Sequence, residues 1–132
     1  MIQQINPKEL GEPRGWTNGM LAPPGGGILF VAGQTARDAG GSLVEGGLVD
    51  QWEQALANVL TVVEAAGGRA TDIARMTVYL TDLREYRQSL KDIGAVWKAR
   101  MGRHYPAMSV VEVTGLVDEG AVIEIEATAV IP

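Results

Sequence analysis

Few side chains in this sequence can do bond chemistry, and their types narrow the reactions open to it. There is no cysteine, which removes disulfides, thiolate nucleophiles and sulfur-ligated zinc together. His104 is the single histidine; alone it cannot build a multi-histidine metal site, and a Ser–His pair would need a third residue brought in by the fold. What remains is carboxylates. Glu124 and Glu126 alternate with Ile123, Ile125 and Ala127, so in a strand both share one face with Val122 and Thr128 while the apolar residues share the other. A carboxylate on such a face can be tuned by desolvation to hold water or move a proton. The alternation alone does not separate that role from a solvated strand position.

The charge balance excludes other classes. With 16 acidic against 11 basic residues the net charge is −5 and the pI about 4.8, whereas phosphate backbones and anionic membranes attract a positive field. No nucleic-acid or membrane partner is expected. No apolar run reaches the roughly 18–20 residues of a membrane span, and the opening MIQQINPKEL lacks the basic and apolar regions of a signal peptide, so a cytoplasmic location is expected. A hydrophobic fraction of 46% and a charged fraction of 20% are ordinary for a globular chain, and 132 residues suit one domain, 1–132. The glycine clusters around Pro23–Gly27 and Asp38–Gly41 read as turns, because a phosphate loop needs a helix directly after it with Lys or Ser/Thr at the start.

The elements that must position any site follow from periodicity. Ile28 to Ala32 is an apolar strand bounded by those breakers, and the first forty-odd residues otherwise read as short strands. From Asp50, Trp52, Leu56, Val59 and Val63 recur at helical spacing; Asp50 with Glu53 suggests a cap, and Gly67-Gly68 a stop. A strand over Met76–Leu80 ends at Asp82, an N-cap for a second helix whose apolar stripe is Leu83, Tyr86, Leu90, Ile93, Trp97 and Met101. Trp97 reads as core. Strands over Ala107–Val113 and Ala121–Val130 close the chain. This order predicts an α+β fold, a mixed sheet with two helices on one face. The other face is left without a helix, and symmetric self-assembly is the commonest way to bury such a face.

The ordered segments resemble the RidA/YjgF family, the reactive intermediate deaminases: Gly33-Gln34 after a long strand, Val63-Glu64-Ala65-Ala66-Gly67, Val78-Tyr79-Leu80-Thr81-Asp82-Leu83, Tyr105-Pro106-Ala107, and Ile123-Glu124-Ile125-Glu126-Ala127. Each is weak singly; in order and at this spacing they are specific. The resemblance implies a chorismate-mutase-like subunit, a homotrimer whose three sheets form a central barrel, and small-molecule clefts between subunits that hydrolyse enamines and imines to a keto acid and ammonia without metal or organic cofactor. It also implies site positions. A glutamate thought to position water falls at Glu124, an aromatic residue at Trp16, and cleft contacts at Gly33 and Leu90. The arginine that grips the substrate carboxylate falls at Met108. A guanidinium offers a carboxylate two parallel charged hydrogen bonds, worth about 1.5–3 kcal/mol, while a thioether is a weak acceptor. Leu90 stands where a polar helix residue is usual, which makes the expected cleft greasier still.

Two functions fit: a cofactor-free enamine or imine deaminase with Glu124 as its water-positioning or acid/base group and a non-standard substrate, or a non-catalytic binder of a small hydrophobic or aromatic metabolite in clefts lined by Trp16, Leu90 and Met108. Arg14 could bring a displaced positive charge, although a solvated surface position is the simpler expectation. A ribonuclease is disfavoured by the acidic balance and the lone histidine. Arg37 and His104 are given no role.

Overall fold

Alternating side chains decide which way the main sheet faces. The computed structural model describes residues 2–132. Its strands and helices run β1 (Gln3–Ile5), β2 (Gly19–Leu21), β3 (Gly27–Gln34), α1 (Leu48–Ala65), β4 (Ile73–Leu80), α2 (Leu83–Gln88), α3 (Leu90–Met101), β5 (Ala107–Glu112) and β6 (Ile123–Ile131). The four-stranded sheet has the order β3-β6-β4-β5, with β6 antiparallel to both neighbours and β4 parallel to β5. Ile123, Ile125, Ala127 and Ala129 of β6 are buried, as are Met76, Val78 and Leu80 of β4. They meet the stripe of α1 (Trp52, Leu56, Val59, Val63) and that of α3 (Ile93, Trp97, Met101), forming one apolar cluster. Burial of this kind stabilises by about 25 cal/mol per Å² of apolar surface. The opposite face has no helix. Phe30, in register with Thr128, is 78% exposed there and Ile28 65%.

The predicted alternation in β6 and the cap at Asp82 both hold: Asp82 accepts hydrogen bonds from the Arg84 and Glu85 amides. Helix α1 stops as expected, Gly67 taking φ +85° so that the Gly68 amide reaches back to the Val63 carbonyl at 3.0 Å, the geometry that favours glycine. Three expectations need correction. Helix α1 begins at Leu48, two residues early, because Asp50 caps from inside the first turn, its carboxylate accepting the Gly47 N–H; Glu53 takes no part in that cap. The second helix is two: the backbone leaves helical geometry at Ser89 (φ −107°, ψ 10°), and α3 restarts at Leu90. Leu90, in the first turn of α3, keeps the spacing of the stripe but is 51% exposed, because it borders an open cavity rather than the core. Strands β1 and β2 pair only with each other, as a separate two-stranded sheet.

Side chains tie down the loop before β6. Gln51, buried, donates to the Gly120 carbonyl and accepts from the Val122 amide. Arg37 makes a two-pronged ion pair with Asp118, and Thr35 adds a hydrogen bond to the same carboxylate. These contacts hold the Asp118 carboxyl well below the usual carboxylate range, Arg37 contributing most. Asn58 donates to the Thr35 and Arg37 carbonyls. Arg37 thus has a structural role that the sequence did not suggest.

Candidate functional site

Strand β5 is an edge of the sheet, and Met108 lies on it in register with Met76. Parallel partners point the same way, so Met108 faces the helical side, above the core rather than within it. There it borders an open cavity of about 190 Å³. Helix α3 forms one wall through Leu90, Gly94 and Trp97, spaced at i, i+4 and i+7 and therefore on one stripe. Two stacked aromatic pairs complete it. Trp52 and Tyr86 lie 5.7 Å apart at 20°, and Trp97 and Tyr105 6.0 Å apart at 4°. The Trp97 indole donates to the His104 carbonyl, which fixes that ring; the Trp52 indole N–H is buried without a partner, at a cost of about 1–3 kcal/mol. Burial raises the Tyr86 pKa, so its hydroxyl stays neutral. Among the described residues no charged side chain lines the cavity.

Glu124 sits elsewhere, on the helix-free face opposite Tyr79. Its carboxylate lies over Gly33, where β3 bulges between Val31 and Gln34. A Cβ on Gly33 would come within 2.4 Å of Glu124 Oε1, so only glycine leaves the carboxylate where it is. Glu126, two residues on, is already engaged by the Tyr79 hydroxyl, which donates to it at 2.9 Å; that bond raises the Tyr79 pKa and keeps it protonated. The alternating carboxylates thus differ: one is tied to a tyrosine, the other packs on bare backbone.

The structure gathers the predicted residues into two groups. Leu90 and Met108 share the cavity. Trp16, 47% exposed, stands beside it, because Gly15 belongs to the cavity wall and Thr17 bridges to Ala107. Gly33 and Glu124 form the second group. Within one subunit the groups do not meet: β6 and β5 are separated by β4, about 10 Å at the usual strand spacing, and the side chains point to opposite faces. Arg14 is exposed and is not part of the cavity wall. The residues missed from sequence are Trp52, Tyr86, Trp97 and Tyr105, read as core or not singled out, and Gly94. A glycine inside an amphipathic helix was the available signal, since it costs about 1 kcal/mol against alanine and asks for a reason. Among the described residues no group of three His, Cys, Asp or Glu could hold a metal ion, and no helix is long and apolar enough to cross a membrane.

A mixed sheet backed by helices on one face and open on the other is a chorismate-mutase-like α+β subunit. The chain belongs to the RidA/YjgF family: the family profile described as endoribonuclease L-PSP matches residues 16–131. A RutC family protein of Pyrococcus horikoshii is 37% identical over 105 residues, covering 79% of each chain. The 2-iminobutanoate/2-iminopropanoate deaminase of Capra hircus is 34% identical over 103 residues, 77% of this chain and 72% of that protein. Among solved structures, a Rid-family protein of unknown function from Yersinia pestis superposes with a TM-score of 0.85 at 31% identity over 98% of both chains.

Proposed function

We propose that the chain acts as one domain in a cytoplasmic homotrimer with a small-molecule cleft at each subunit interface, and that each cleft hydrolyses an imine or enamine other than the short imino acids. The exposed Phe30 and Ile28 on a helix-free face support the assembly. Each cleft joins the cavity of one subunit, with Trp16, Leu90 and Met108, to Gly33 and Glu124 of the partner subunit across the edge strand β5. The observation that carries the reading is the uncharged cavity at Met108: it accepts an apolar part of a substrate and has no cation to hold a carboxylate.

The chemistry needs water and one carboxylate. Glu124 accepts a proton from a water molecule as the water oxygen attacks the imine carbon, and returns it to the nitrogen, giving a carbinolamine; it then takes the hydroxyl proton and passes it to the nitrogen as the C=O bond forms and the C–N bond breaks, giving a carbonyl compound and ammonia. General acid–base assistance of this kind contributes about 10²–10⁴-fold. Neither metal nor organic cofactor enters, and nucleic acid and membrane are not partners in this reading. The same uncharged wall also favours the second reading, a binder that holds an apolar metabolite without converting it.

The test is ammonia release from imines generated in place by amine and amino-acid oxidases. Wild type should accelerate release from an apolar imine, Glu124→Gln should lose the acceleration while remaining trimeric, and freshly generated 2-aminoacrylate should yield pyruvate no faster than buffer. Binding without acceleration on any imine favours the binder. Fast pyruvate release, or light scattering that gives a 14.0 kDa monomer at micromolar concentration, contradicts the proposal.

A further inference from the structure

Gly94 is the residue least explained by folding. It lies in α3 between Leu90 and Trp97, on the stripe that walls the cavity, and a Cβ built on it meets nothing within 4 Å. A larger side chain would fit sterically and would suit the helix better. What it would do is occupy the space in front of Leu90, Met108 and the Trp52–Tyr86 pair.

The size and lining of that space define an occupant. At about 190 Å³ the cavity slightly exceeds the roughly 150 Å³ of an apolar cavity that holds one benzene. It suits a phenyl ring with one attached carbon, or a branched chain of four or five carbons. The walls are aromatic rings, a leucine and a thioether, with no charge, so a carboxylate there would lose its hydration without gaining a partner.

We infer that Gly94 holds this cavity open as the specificity pocket of the cleft, and that it takes the benzyl- or isobutyl-sized apolar arm of an aldimine derived from a primary amine, a substrate without a carboxylate. This rests on the hydrolase reading above, which supplies the reaction at Glu124: the C=N bond is hydrolysed to an aldehyde and ammonia. Met108 and Leu90 exclude the charged alternative; Gly94 admits the arm.

Binding can be read apart from chemistry, because Trp52 and Trp97 border the cavity and their fluorescence reports its occupancy. Benzaldehyde and isovaleraldehyde should quench wild type saturably, at concentrations at least about tenfold below those of pyruvate, whose carboxylate would lose its hydration there without gaining a partner. Gly94→Leu should remain folded and trimeric, melt no lower than wild type, and lose at least about tenfold in aldehyde affinity. Met108→Arg should shift preference toward pyruvate. If Gly94→Leu binds the aldehydes like wild type, or no aldehyde quenches because the assembled neighbour fills the space, the inference is overturned. Saturable binding with no hydrolysis of benzylamine- or isoamylamine-derived imines overturns the hydrolase reading and leaves the pocket standing. Hydrolysis confined to amino-acid-derived imines does the reverse.

Discussion

The two faces of the sheet present opposite kinds of surface. On the helical side, Met108 and Leu90 border a cavity that is aromatic and uncharged. On the open side, Glu124 rests on Gly33 beside the Tyr79–Glu126 pair. Among the described residues the first has no carboxylate or imidazole to accept a proton at neutral pH; in the second, an open cavity of about 210 Å³ lies beside Glu126 and Arg75 rather than at Glu124. On the proposed reading one subunit holds parts of a site rather than a site, and the edge strand β5 is the seam.

The strongest way to break that comparison is to prevent the open face from being covered. Phe30→Glu puts a charge at the most exposed apolar position of that face. It should leave the fold intact by circular dichroism, convert the assembly to monomers in sedimentation, and abolish hydrolysis although no cavity residue has changed. Retained trimers with full activity would show that the open face is not the interface.

A narrower disturbance separates Glu124 from its seat. Gly33→Ala adds a Cβ that overlaps the end of the Glu124 side chain, and because that end is flexible the carboxylate can swing away at little cost in stability. Activity should fall about 100-fold, the penalty of an ångström-scale misplacement of a reacting group, with the melting temperature nearly unchanged and aldehyde quenching at the cavity unaffected. Loss of quenching along with activity would mean that the two halves are not independent.

The smallest effect lies outside both halves. Asp118 is held below its ordinary range by Arg37 and Thr35, so its native carboxyl binds protons less readily than in the unfolded chain. The stability it contributes is present above the ordinary aspartate pKa near 4 and is lost as pH falls from about 4 through the lowered native value. Asp118→Asn should therefore melt below wild type at pH 7, and the gap should narrow as pH is lowered past about 4. A gap constant with pH would assign the effect to packing rather than charge.

Much of this arrangement was legible before the structure. The two-residue period of Ile123–Ala129 gave the faces of β6, and Asp82 announced its helix, because strand alternation and capping are local. The break at Ser89 was not, since a stripe continues across a one-residue interruption with little change in its apolar spacing. Trp52 and Trp97 illustrate a deeper limit: periodicity reports that a side chain faces inward, and a cavity wall faces inward as a core residue does. Pairing Met108 with Glu124 in one cleft came from family resemblance; their separation onto opposite faces required the register of β4 with both neighbours.

The shared site can be tested most directly by mixing two impaired proteins. Glu124→Gln retains the cavity and Gly94→Leu retains the carboxylate, so on a subsaturating apolar imine the first homotrimer should be inactive and the second at least about tenfold below wild type. Unfolded together in equal amounts and refolded, they should form mixed trimers in which about one-quarter of the interfaces pair an intact cavity with an intact Glu124 from the neighbour, by random assembly of a cyclic trimer. About one-quarter of wild-type activity is the expected result; mixed trimers no more active than their parents would contradict a cleft built from two subunits.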